Sequence, residues 1–282
     1  MVSLAVAIAL ALVGWAFTYM LDYFSTERTA RHAKDVDEKI EKEEPAFTAS
    51  TRVDPPPPDS QVVLFDHPLT SAERKYLTGL DLEEGKDEPD LKNFVKSHHG
   101  KRLAFPGDKV GGYSKTWLID FFSGRTESLT ISGVHAENID CKPAAAKAMI
   151  LFPPQGVGDY STMLFKLPDN TPPIIGGDLQ VEGVGEPYFS HKKIDLGNGA
   201  TPGGVRMEVS SGTQDCAWEF EAEYRDSQGA HEQRFKDGKK RFFTRGVPAR
   251  PQQVFMYAAD KFSITDCQKK REEGCDWRSW VT

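Results

Sequence analysis

Residues 2–21, VSLAVAIALALVGWAFTYML, form an unbroken run without a charged side chain. As an α-helix, about 20 such residues rise about 30 Å, the thickness of a bilayer's hydrocarbon core. A soluble fold would have to surround this run with apolar partners, and the charged sequence after it offers none. The run predicts a transmembrane anchor over 1–21. A cleaved signal peptide is the competing assignment. It calls for a basic start, a shorter apolar core and a small-x-small cleavage site. Here no Lys or Arg precedes the run, which ends in Trp15, Phe17, Tyr19, Met20 and Leu21. Trp15, Tyr19 and Tyr23 suit an interfacial aromatic belt instead.

Two arguments about orientation oppose each other. Positive charge next to a span favours the cytosolic side, and Arg28, Arg31 and Lys34 all follow the anchor. That places the remainder in the cytosol. Against it, the chain holds four cysteines, an even number, and disulfides persist outside the cytosol. The cysteines favour a single-pass cell-membrane protein whose globular domain is extracytoplasmic.

Residues 22–44 are highly charged. Glu27 with Arg31, and Asp35 with Lys39, stand at the i,i+4 spacing that supports a solvated helix. This segment reads as a charged helical stalk continuing the anchor. Residues 45–60 contain Pro55, Pro56, Pro57 and Pro58, which hold the chain extended. They read as a Pro-rich linker that spaces the body from the membrane. Residues 61–282 remain as one globular domain, long enough for a sizeable core. The formal charge of -7 argues against a nucleic-acid partner, which asks for a basic footprint.

Within the body, 18 prolines and 24 glycines across the chain punctuate short apolar runs, a pattern of many turns and few long helices. Two helices are expected. One runs over 70–80, capped by Thr70 or Ser71 with Glu73 in its first turn. The other runs over 89–98, opened by Pro89 and stopped by Gly100. Strands are expected at 62–65, 116–122, 127–135, 148–152, 162–167, 204–209, 216–224, 231–236, 241–244 and 254–257. The clearest is 216–224. Cys216, Trp218, Phe220, Ala222 and Tyr224 alternate with Ala217, Glu219, Glu221 and Glu223, so one face is buried and the other is acidic. The expected fold is mainly β, a β-sandwich-like domain with two short peripheral helices, preceded by a single transmembrane helix.

The favoured cysteine pairs are Cys141–Cys216, joining two sheets or two neighbouring strands, and Cys267–Cys275, closing a local loop. Three pairings are allowed, and free buried thiols are the alternative. No CxxC spacing suggests a metal site. Arg234, Lys236, Lys239, Lys240, Arg241 and Arg245 make the strongest local charge asymmetry, a candidate contact patch for anionic headgroups or an acidic partner. The competing account is a hairpin turning at Asp237-Gly238 with ordinary solvated lysines. The glycines before Thr116 lack P-loop spacing, the histidines lack an HExxH frame, and the serines lack a GxSxG elbow. Asp178, Glu182, Glu186 and Asp195 lack calcium-loop spacing. No catalytic, metal or cofactor-binding residue stands out, and no cofactor is expected.

The apolar start, FPPQG at 152–156 and CAW at 216–218 resemble uncharacterised actinobacterial membrane-anchored proteins with a β-rich ectodomain. That resemblance implies the same layout and carries no activity. The expectation is a membrane-tethered binding or structural domain, in contact with the lipid bilayer and with an envelope or membrane protein partner. An envelope hydrolase whose site forms only in three dimensions is one alternative. A cytosol-facing membrane scaffold is the other.

Overall fold

Residue alternation in strand β11, Gln214–Asp226, organises one half of the molecule. Its Cys216, Trp218, Phe220 and Ala222 side chains are fully buried, whereas the intervening glutamates line the opposite face. In this computed structural model the described residues are 45–58, 60–105, 112–153, 161–169, 171–177, 181–199, 203–268, 275 and 277. The expected anchor at 1–21 and stalk at 22–44 lie outside them. Among the described residues no helix is long and apolar enough to cross a membrane.

The body is mainly β and contains two sheets. In chain order the strands are β1 (Thr48–Asp54), β2 (Gln61–Phe65), β3 (Lys101–Ala104), β4 (Ser114–Phe122), β5 (Ser128–Pro143), β6 (Ala148–Phe152), β7 (Thr162–Lys166) and β8 (Ile174–Gly176). They continue with β9 (Ile194–Gly197), β10 (Gly203–Ser210), then β11, β12 (Gly229–Phe235), β13 (Phe242–Thr244), β14 (Gln253–Ala258) and β15 (Ser263–Asp266). The larger, 10-stranded sheet runs β15-β14-β6-β2-β3-β4-β10-β7-β8, with β1 also on β4. The 5-stranded sheet runs β12-β11-β5-β9, with β13 on β11.

The two halves of the larger sheet are covered differently. Around β4 and β7 it packs face to face on the smaller sheet through aromatic rings. Trp117 meets Trp218 edge-on at 5.7 Å and Phe242 at 5.5 Å. Phe121 meets Phe235 at 5.3 Å, and Phe165 meets Phe220 at 4.7 Å. This is the expected sandwich, with edge-to-face ring packing in its core. Around β2 and β6 every strand residue is buried. There both faces are covered, so the sequence shows continuous apolar runs rather than alternation.

The two helices expected from sequence, α1 (Ser71–Leu77) and α2 (Glu88–Ser97), supply one of those covers. Leu77, Leu91, Phe94 and Val95 join Val63, Phe65, Ile150 and Phe255 in one apolar cluster. α1 opens with a capping box: the Thr70 hydroxyl accepts from the Glu73 amide, and the Glu73 carboxylate accepts from the Thr70 amide at 2.7 Å. The Thr70 amide, then His98, holds the Glu73 carboxyl below its usual range. The same carboxylate lies 3.0 Å from His98 Nε2 at the end of α2, tying the helices together. α2 then turns sharply at Gly100, where a Cβ would sit 2.8 Å from Val95 and 2.9 Å from Val63. A third helix, α3 (Tyr188–His191), is a single turn.

One boundary is corrected. The linker expected over 45–60 contains β1, paired with β4 from Thr48↔Phe122 to Asp54↔Thr116. β10 occupies one side of β4 over the same length, so β1 belongs to the sheet. The proline run after it therefore links two strands of one sheet, β1 and β2, and is not a spacer between membrane and body.

Candidate functional site

The helical cover stops short of one end of the sheet. A one-turn 3-10 segment, Glu83–Gly85, precedes α2 and contributes little bulk there. Gly85 takes a φ of 77°, which favours glycine, so no side chain fills the mouth at that point. The result is a groove of about 280 Å³.

Four sheet strands and α2 build its walls. Val63, Phe152, Leu91 and Val95 form an apolar floor. Phe152 and Tyr257 stack along one wall, with centroids 5.7 Å apart and planes 28° apart. Leu82 and Pro58 stand at the rim. Four polar side chains punctuate this surface. Glu88 and Lys92 neutralise one another at 2.8 Å, one turn apart on α2. Gln61 is only 4% exposed. Its Nε2 donates to the Pro58 carbonyl at 2.8 Å, while its Oε1 has no hydrogen-bond partner. Arg102 completes the set, and its guanidinium makes no ion pair or side-chain hydrogen bond among the described residues. The groove thus combines an apolar bed, a buried unused acceptor and an uncommitted cation. An apolar cleft with few convergent polar groups is the usual form of a small-molecule site. Its lining contains no His, Ser or Cys side chain.

Elsewhere the smaller sheet accounts for most residues that stood out in the sequence. Cys141 and Cys216 are bonded directly across neighbouring strands β5 and β11, with Cα atoms 4.1 Å apart. Cys267 and Cys275 form the second bridge. Cys267 and Trp277 pack against the apolar cluster on the other face of β2 and β6.

Arg234, Lys236, Lys239 and Lys240 are exposed, and Arg234, Lys236, Arg241 and Arg245 have partners within the fold. Arg234 pairs with Glu221 at 2.7 Å and Lys236 with Glu219 at 2.8 Å across the β11–β12 hairpin. Arg241 donates to the carbonyls of Asn138 and Ala217. Arg245 pairs with Asp215 at 3.2 Å and with Asp66. Lys239 and Lys240 are exposed beside the Asp237↔Lys240 bridge, at the turn expected from Asp237-Gly238. Among the described residues no three His, Cys, Asp or Glu side chains converge to hold a metal ion. Glu186 faces His191, and Asp195 accepts from Thr130 at 2.6 Å. Asp178 lies outside the described residues.

A second polar feature occupies the larger sheet, on the face of β4 and β10 turned away from the sandwich core. Arg206 pairs with Asp54 and lies 3.5 Å from Glu208. Glu208 is 3% exposed and stands opposite Thr116, and its Oε2 and the Thr116 hydroxyl both lack partners. Burial raises the Glu208 carboxyl to about 7, against the opposing pull of Arg206.

Comparison with known proteins adds no relative: no family model, curated protein or solved structure matches the chain.

Proposed function

We propose that the chain is a membrane-tethered ligand-binding protein, anchored by residues 1–21 and displaying its β-rich body outside the cytosol. The groove beneath α2 carries this reading. Apolar floor residues, the Gln61 side chain and the Arg102 cation line one small volume. A buried acceptor without a donor costs free energy, and a ligand that donates to Gln61 would recover it. The uncharged run at 2–21 supports the anchor. The two disulfides support an oxidising compartment.

The groove is tested with 2-naphthol, a small neutral aromatic, by equilibrium dialysis against the full-length protein in phosphatidylcholine nanodiscs. Empty nanodiscs give the blank. The expected result is saturable binding that Leu82→Trp, which fills the rim, weakens about 10-fold or more. Absence of saturable binding to the unaltered protein by 2-naphthol and by its carboxylate analogues alike rejects the groove as a ligand site. Orientation is tested separately by adding protease to intact cells. The expected result is digestion of the body, and protection with a cleavable stalk would support the cytosolic scaffold.

A further inference from the structure

We propose that the groove's ligand is a small aromatic carboxylate carrying a hydrogen-bond donor at the end of its ring system remote from the acid. This rests on the reading of the groove as a ligand site and specifies what enters it.

The polar groups define the ligand's two ends. Glu88 and Lys92 cancel each other's charge, so Arg102 sets the net charge of the lining. An uncommitted guanidinium beside apolar surface selects an anion, and its planar fork matches a carboxylate in two parallel hydrogen bonds. Gln61 Oε1, an amide oxygen, can only accept, and it has no donor among the described residues. The matching ligand atom must therefore donate, as a hydroxyl or N–H does.

Register supplies the spacing. Arg102 is the direct neighbour of Val63 across β2 and β3, and Gln61 lies two residues from Val63 on the same strand face. Diagonal neighbours of this kind are roughly 7 Å apart at the backbone, a span of one or two fused rings. The Phe152–Tyr257 stack offers flat apolar surface beside them, which an aromatic body covers at little conformational cost. A long flexible acyl chain would exceed a groove of about 280 Å³. A neutral apolar molecule would bury the cation without pairing it.

The test compares 6-hydroxy-2-naphthoate, 2-naphthoate and 2-naphthol on the same full-length protein in nanodiscs. The hydroxy acid is expected to bind most tightly. Arg102→Gln should weaken it about 10-fold while changing 2-naphthol less than about 2-fold. Gln61→Leu should remove the hydroxy acid's advantage over 2-naphthoate, about 3- to 10-fold. Binding of 2-naphthol as tight as that of either acid overturns the proposal and leaves the groove standing as a ligand site. So does an acid affinity indifferent to Arg102, or a hydroxyl advantage that survives Gln61→Leu. Failure of all three compounds overturns both the ligand class and the site.

Discussion

Replacing Cys141 and Cys216 together by alanine is expected to destabilise the oxidised body by about 4.5 kcal/mol, since a cross-link mainly restricts the unfolded chain and its effect grows with the loop it closes. The two residues are 75 apart in sequence. Cys267 and Cys275 are only 8 apart, so the same treatment predicts about 2.5 kcal/mol for their removal. For a domain of this size, the first loss lowers Tm by roughly 10 °C. Local packing acts in the same direction. Cys216 is fully buried next to the Trp218 strand position, and the bond joins β5 to β11 close to a break in their pairing between Ala217 and Glu219. Denaturation of the full chain without reductant measures both variants. Equal losses, or a larger loss at the carboxy-terminal pair, would show that loop length does not govern the effect.

The same strand shows why parts of this fold were legible in advance. β11 is buried on one face and acidic on the other, so its period of two survives in the residue order. β2 and β6 announce themselves differently, as continuous apolar runs, because helices cover one face and side chains that include Tyr113, Val247 and Trp277 cover the other. The helices were legible because Thr70, Glu73 and Pro89 occupy positions where the chain ends of a helix require those residue types. β1 had no comparable signal. Most of its side chains are at least partly exposed, and its place depends on main-chain pairing to β4, which composition does not encode. The proline run beside it pointed toward a spacer.

Function was far less legible, for a topological reason. Gln61, Arg102, Phe152 and Tyr257 come from four strands of one sheet. Only the order β14-β6-β2-β3 makes them neighbours, and no motif links them along the chain. The basic run is the opposite case. Its charge stands out along the chain, while its acidic partners lie on the preceding strand. Once the turn after Asp226 is accepted, pairing runs back along the hairpin and places Arg234 opposite Glu221. The next step outward brings Lys236 to Glu219. Cross-strand pairing on this hairpin thus gives two of the basic residues, Arg234 and Lys236, acidic neighbours. Glu208 had none. Alternation in β10 sets it opposite Met207 in facing, a position that in a two-layer sandwich meets water, yet here it is buried.

Glu208→Gln is expected to stabilise the protein by about 3 kcal/mol at pH 8 and to change the pH-dependent part of stability hardly at all below pH 4.5. The carboxyl sits at about 7 in the fold against the ordinary glutamate value of 4.5. Burial is the main cause. Arg206 opposes it, but that guanidinium is shared with Asp54, which leaves one positive charge between two acids. Below pH 4.5 both folded and unfolded states hold the proton and no penalty exists. Between 4.5 and 7 the unfolded chain releases it while the folded chain retains it. The folded state then binds more protons, so stability falls as pH rises. Above 7 the penalty is complete, about 2.5 pH units at roughly 1.4 kcal/mol each. Glutamine has the same shape and no charge to desolvate, so it removes this dependence. Other groups titrate in both proteins and cancel when the variant is compared with the parent at each pH. Thermal unfolding from pH 4.5 to 8 should give curves that diverge as pH rises, reaching several degrees in Tm. A constant offset across that range would mean that Glu208 is ionised in the fold at neutral pH, with Arg206 serving it rather than Asp54.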